Sequence, residues 1–145
     1  MTSAEYVIEM LGGPRVFRGR ALPSAGELRE RITEGLPFSS LESVRARLRL
    51  TVPELAAVLR MPTRTLARRR QLRRLEADES DRLYRVARVA GQAVTLLGSE
   101  EAASAWLRRP NRALGGEPPV RLLDTDIGAR QVEDVLGRLE HGVIG

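Results

Sequence analysis

The chain has 145 residues, 42% hydrophobic and only 3% aromatic, and its net charge of +5 is carried by arginine alone among Lys and Arg. That length fits one compact domain or two small helical halves sharing a core of Leu, Val and Ala. Zero cysteines exclude disulfides, thiolate nucleophiles and zinc–cysteine sites, and a single histidine, His141, argues against a histidine metal site, so no cofactor is expected.

From the N-terminus, Tyr6, Val7, Met10 and Leu11 recur at helical spacing until Gly12-Gly13-Pro14, and the stretch to Pro23 reads as irregular. Ser24-Ala25-Gly26-Glu27 has the form of a capping box opening a helix that stops at Gly35, before Leu36-Pro37. Ser39-Ser40-Leu41-Glu42 predicts a second box and a helix through Val44 and Leu48, and Thr51-Val52-Pro53-Glu54 a third. Three short, closely spaced helices form the frame of a helix-turn-helix domain. In its last pair, Leu55, Ala56 and Leu59 are expected in the core, Met61 in the turn and Leu66 as anchor of the second helix. Arg60 stands where Gly is common, and Pro62 where a capping Ser is common, leaving Thr63 as the expected cap.

Seven arginines lie between Arg60 and Arg74 with no acidic residue among them, so +7 sits here and everything else sums to −2. Arginine is suited to bidentate contacts with phosphate and guanine. A run of arginines is also what any solvated helix face looks like, and the helix-turn pattern before it tilts the reading toward DNA. Thr63, Arg64, Thr65 and Arg68 are expected to approach base edges, and Arg60, Arg69, Arg70 and Arg73 to bind phosphates.

The longest helical pattern, Asp78 to Leu97, carries Leu83, Val86, Ala87, Ala90, Val94 and Leu97 as an apolar stripe ending at Gly98. Its small residues permit close helix approach inside the core or across a dimer. DNA half-sites favour a twofold homodimer, with Leu83, Val86, Ala90 and Val94 as its interface. Ser99 is expected to cap a helix from Glu100 to Arg108 with Trp106 as core anchor. Pro110 to Gly116 breaks it, a short helix follows from Pro118-Pro119, and the last helix carries Ile127, Val132, Val135, Leu136 and Leu139. Asp124 to Gly145 holds five acidic residues and two arginines. Glu140-His141-Gly142-Val143-Ile144 has the look of a plug for a partner.

Several motifs in this order are similar to the Xre/MbcA/ParS antitoxins of bacterial type II toxin–antitoxin systems. They are Gly35-Leu36-Pro37; Leu55-Ala56 with Arg64-Thr65-Leu66 and Arg68-Arg69-Arg70; Glu79-Ser80-Asp81-Arg82-Leu83; Trp106-Leu107 with Pro110-Asn111 and Ala113-Leu114-Gly115-Gly116; Pro119 with Leu122-Leu123; and Gly128-Ala129, Val132-Glu133, Leu136 and Arg138-Leu139-Glu140-His141-Gly142. The resemblance runs from about Leu28 onward. It implies an all-α protein that represses its own operon by binding operator DNA and covers the active-site entrance of a cognate RES-domain toxin, an NAD-consuming or ADP-ribosylating enzyme. Carried across, the matching positions are Asn111, Gly115, Gly116, Gly128, Arg130, Glu133, Arg138, Glu140, His141 and Gly142, of which Asn111, Arg130, Glu133, Arg138, Glu140, His141 and Gly142, with Val143 beyond them, are expected to contact the toxin. The resulting division is an N-terminal extension (1–23), a helix-turn-helix region (24–77), a linking or dimerisation helix (78–98) and a toxin-binding region (99–145).

An enzyme would need a nucleophile, an acid/base pair or a phosphate cradle. Asp124 and Asp126, or Glu133 and Asp134, are near each other in sequence but diverge on a helix, and Gly12-Gly13 and Gly115-Gly116 lack the flanks of nucleotide loops. The competing expectations are a stand-alone regulator without a toxin, or an arginine face that meets an acidic protein. Met1 to Tyr6 does not look like a signal peptide and no 18-residue apolar run occurs, so a cytoplasmic protein is expected.

Overall fold

The computed structural model describes residues 1–142, and among them the chain is all-α, with one isolated bridge and no strand. The helices are α1 (Ser3–Met10), α2 (Ala25–Glu34), α3 (Phe38–Arg47), α4 (Val52–Val58), α5 (Thr63–Leu72), α6 (Ala77–Leu97), α7 (Glu100–Arg108) and α8 (Asp126–Glu140). Short 3-10 turns cover Pro14–Phe17, Arg112–Leu114 and Pro119–Asp124. No helix among the described residues is long and apolar enough to cross a membrane.

Side-chain caps set the starts of several of these helices. Ser24 with Glu27 and Thr51 with Glu54 close the expected capping boxes on α2 and α4, and Thr2 with Glu5 makes another on α1. The box expected at Ser39 does not form. α3 starts two residues earlier, with Pro37 as its N-cap, because Phe38 is drawn into the core and its N–H donates to the Arg73 carbonyl at 3.0 Å. Ser40 is thereby turned inward, where its hydroxyl donates to the Leu11 carbonyl at 2.6 Å.

α6 is the central post. α1, α2, α7 and α8 all pack on it, α1 most extensively. The approach of α1 depends on Gly91, where a Cβ would lie 2.9 Å from the Ser3 carbonyl oxygen. This arrangement overturns the expected dimer face: Leu83, Val86, Ala90 and Val94 are at most 1% exposed within a single chain. Periodicity shows which stripe of α6 is apolar, but α1 and α8 are the elements that cover it.

The stretch before Pro23, expected to be irregular, includes an ordered 3-10 turn whose Val16 and Phe17 are buried. Arg31 on α2 stitches this turn to the end of its own helix, with Nε donating to the Val16 carbonyl and Nη1 to the Gly35 carbonyl, both at 2.8 Å. Gly35 has φ +100, and a Cβ there would sit 2.2 Å from the Leu75 carbonyl oxygen, so no other residue fits without displacing the chain after α5.

Toward the C-terminus, Ser99 caps α7 through the Ala102 N–H, and Trp106 packs half-buried against the core. The Ser104 hydroxyl donates to the Leu48 carbonyl at 2.5 Å and joins α7 to the end of α3. Thr125 caps α8 by accepting from the Gly128 N–H at 3.0 Å. At Gly128 a Cβ would meet the Leu122 carbonyl oxygen at 1.9 Å, which makes the glycine a condition for seating α8 on the preceding turn.

Candidate functional site

The helix-turn-helix unit is α4, the turn Leu59 to Pro62, and α5. α4 ends in a Schellman arrangement: the Met61 N–H donates to the Ala56 carbonyl at 2.9 Å and the Arg60 N–H to the Ala57 carbonyl at 3.1 Å. The residue in the left-handed conformation is Arg60, with φ +55. This follows the expectation that arginine here must accept an uncommon backbone state, one that costs a non-glycine residue about 1–2 kcal/mol. Leu55, Ala56, Leu59, Met61 and Leu66 are all buried, so the two helices are locked by their apolar sides.

The other end of α5 is tied down by backbone bonds. The Phe38 N–H donates to the Arg73 carbonyl and the Leu75 N–H to the Leu36 carbonyl, at 3.0 and 2.9 Å, around the Pro37–Arg74 bridge. α5 is thus rigidly presented. At about 100° per residue, Arg64, Arg68 and Gln71 stand opposite the Leu66 anchor, and all three are exposed. Ala67 lies on the same outward face and keeps it low. Thr63 is exposed and Thr65 half-buried.

Thr63 does not cap α5. Pro62 is the N-cap and no side chain satisfies the first turn, so its N–H groups stay open at the positive end of the helix dipole, beside Arg60 and Arg64. Arg70 lies over the Phe38 ring, 5.4 Å from its centroid, and Arg73 takes the left-handed conformation just past the helix. Among the described residues none of Arg60, Arg64, Arg68, Arg70 and Arg73 has an ion-pair partner.

Arg69 departs from the expectation of a phosphate contact. Its side chain is 12% exposed, with Nε donating to Glu79 at 2.8 Å and Nη2 lying 3.3 Å from Glu76. The hydrogen bond to Glu79 holds its guanidinium pKa above the ordinary arginine value. Arg69 is a fastener between α5 and α6. The sequence clue was the spacing of an arginine ten residues before a glutamate in the first turn of the next helix, which is visible only once the turn is known.

The expected partner-facing residues are dispersed around the C-terminal region. Asn111 organises the loop it begins, its Oδ1 accepting from the Ala113 N–H at 3.0 Å. Gly115 and Gly116 turn that loop with φ +69 and +83. Arg130 is exposed and pairs with Asp126 at 3.0 Å. Glu133 is not free: its carboxylate accepts from Arg88 at 3.1 Å and Gln92 at 2.9 Å, binding α8 to α6. Arg138, Glu140, His141 and Gly142 are exposed together at the end of α8, while Val143 lies outside the described residues. Ile127, one of the apolar residues of the last helix, is 74% exposed in the first turn of α8. A β-branched side chain left in water on the helix that carries that surface is a further candidate contact.

Comparison with known proteins bears on both ends of this arrangement. Residues 27–88 match the family model described as the antitoxin Xre-like helix-turn-helix domain. Residues 92–142 match that of the antitoxin Xre/MbcA/ParS C-terminal toxin-binding domain. The chain is 36% identical to the antitoxin Xre of Yersinia enterocolitica over 77% of each chain. It is 33% identical to the antitoxin Xre of Photorhabdus laumondii over 78% of each. It is also 28% identical to the Prs ADP-ribosylating antitoxin of a Sphingobium species, over 77% of this chain and 76% of that one. The two matched regions meet within α6, and α1 lies in neither.

Proposed function

The chain belongs to the Xre/MbcA/ParS family of antitoxins, and on that premise we propose that it neutralises a cognate RES-domain toxin through its C-terminal region and represses its own operon through α5. The observation that carries the reading is the contrast between the two ends of the molecule. α5 offers unpaired guanidinium groups and an uncapped, dipole-positive end, the arrangement that binds phosphate and lets side chains reach base edges. In this reading Thr63, Arg64, Thr65 and Arg68 face the bases, and Arg60, Arg70 and Arg73 hold the backbone. The C-terminal stretch reverses sign. Arg138, Glu140, His141 and Gly142, continuing to Val143, reach toward the toxin, with Ile127 as an apolar contact on the same helix.

The toxin is an NAD-consuming or ADP-ribosylating enzyme, and the likeness to an ADP-ribosylating antitoxin supports that class. The antitoxin acts by occupying space and contributes no catalytic group. Co-expression with the toxin encoded by the adjacent open reading frame tests this: the full chain restores growth and co-purifies with the toxin, and removing residues 141–145 abolishes rescue while operator binding persists. Rescue by the truncated chain, or no association with the toxin, overturns the reading. Operator binding should weaken steeply with salt, with a log–log slope of roughly −0.9 per phosphate contacted.

A further inference from the structure

Among the described residues one buried side-chain polar atom has no hydrogen-bond partner, Nε of Arg88. Buried polar groups are paired almost without exception, so an N–H left alone calls for an acceptor. Arg88 also lines a pocket of about 230 Å³ between α1 and α6. The other walls are Val7 and Ile8 of α1, Leu22 and Pro23 of the segment that follows, Leu28 of α2 and Tyr84 of α6, with the exposed Ala4 at the edge. A mostly apolar wall with an unpaired donor is the make-up of a small-molecule site. Charge and size narrow the occupant. The Arg88 guanidinium already has the Glu133 carboxylate 3.1 Å from Nη2, so it needs an acceptor rather than a counter-ion, and an anion brought here would also meet Glu133. About 150 Å³ is enough for a benzene ring, so this pocket has room for a ring or a short acyl chain with one polar group attached.

We propose that this pocket binds a small uncharged carbonyl compound with an aryl or short acyl body, its oxygen accepting a hydrogen bond from Arg88 Nε. Nε itself is closed to solvent, but the Arg88 side chain as a whole is 35% exposed, so a rotation of its stem turns the N–H toward the occupant. The apolar body lies against Val7, Ile8, Leu28 and Tyr84, which are already in place without it. α1 belongs to neither of the regions matched by the family models, yet it supplies one side of the pocket. The occupant therefore bridges α1 and α6, beside the Arg88–Glu133 tie that holds α8. The site depends on neither the DNA-binding nor the toxin-binding reading.

The test is an NMR titration of the isotopically labelled full chain with acetophenone and with hexanamide, the aryl and acyl forms of the same chemistry, and with isopropenylbenzene as the hydrocarbon of acetophenone's shape. At least one carbonyl compound should bind saturably, with Kd of about 1 mM or below, and shift the signals of Val7, Ile8, Tyr84 and the Arg88 Nε–H. Arg88→Met keeps the apolar stem and removes the donor. It should weaken the carbonyl compound by about tenfold or more, as loss of a hydrogen bond from a charged donor does, and leave the hydrocarbon within about threefold. Ala4→Trp, at an exposed position, covers the mouth and should block both. No saturable shift with either carbonyl compound at millimolar concentration overturns the proposal, as do shifts confined to other residues or an Arg88→Met chain that weakens both kinds of compound equally. Tighter binding of benzoate than of acetophenone refutes an uncharged occupant. If Arg88→Met fails to fold, undiminished carbonyl binding by Ala4→Trp refutes the site.

Discussion

Arg68 and Arg69 are neighbours with opposite tasks, and replacing each with alanine separates them. Arg69 is 12% exposed and the Glu79 side chain it grips at 2.8 Å is 7% exposed. After Arg69→Ala, the Glu79 carboxylate stays buried with only the Glu76 N–H, at 2.8 Å, to solvate it. Breaking a buried pair by removing one partner costs about 3–5 kcal/mol. The remaining N–H bond offsets some of that, which leaves about 2–3 kcal/mol. For a chain of this length each kcal/mol moves the midpoint by about 3 °C, so Arg69→Ala should melt roughly 6–9 °C lower. Arg68 is exposed and unpaired, and Arg68→Ala should stay within about 0.5 kcal/mol of the unmodified chain. Operator affinity, measured well below both midpoints, should reverse the order: weaker for Arg68→Ala, unchanged with an unchanged salt slope for Arg69→Ala. Thermal melts followed by circular dichroism, beside a fluorescence-anisotropy salt titration, read both quantities. An Arg69→Ala chain that melts with the unmodified one, or that lowers the salt slope by about 0.9, refutes the assignment. Removing Glu79 as well should return part of the lost stability, since no orphaned carboxylate remains.

Arg60→Gly should stabilise the fold by about 0.5–1 kcal/mol, because glycine accepts φ +55 without strain and its looser unfolded state takes back only part of the gain; the same change removes a cation and should weaken operator binding, and a lower melting midpoint would contradict it. Leu83→Ala should cost about 2–5 kcal/mol in urea denaturation without changing the mass of the folded species, as expected of a core residue; a dimer lost at unchanged stability would contradict its burial. The Thr51 N–H, 2.8 Å from the Glu54 carboxylate, and the Ser24 N–H beside Glu27 hold both carboxyls below the ordinary range. Because their folded pKa values are depressed, the stability they add is complete above the unfolded value of about 4.3 and is lost as pH falls below it. Replacing both with glutamine should flatten the decline in urea midpoint on acidification; an unchanged pH dependence would show that the caps carry none of it.

The helices, their glycine stops and most caps were legible because they depend on a few adjacent residues: Ser24 with Glu27, Thr51 with Glu54, Gly35 and Gly98. The buried side of the helix-turn-helix was equally plain, from Leu55 through Met61 to Leu66. What escaped the sequence was set by partners distant along the chain. Ser39 looked like a cap until the Phe38 amide found the Arg73 carbonyl, and Arg69 looked like its arginine neighbours until α6 brought Glu79 beneath it. The four residues of the expected dimer face were correctly read as an apolar stripe, but α1, whose own packing partner no local pattern announces, covers α6 through the close approach at Gly91. Ile127 shares the helical pattern of Val132, Val135 and Leu136, yet the first turn of α8 seats on the preceding turn through Gly128 and Ala129 and leaves Ile127 outside. Of the candidate DNA contacts, Arg69 is withdrawn, and of the toxin contacts, Glu133 is committed to Arg88 and Gln92 within the fold.

The central claim is that the two surfaces work independently, and it is tested most directly by measuring operator binding and toxin neutralisation side by side on an Arg64→Ala/Arg68→Ala chain. These side chains are exposed and hold no other group, so the fold should survive, the operator complex should be lost, and the growth of cells carrying the toxin should still be rescued. An operator complex of undiminished affinity, or loss of rescue by a chain that remains folded, would contradict the account.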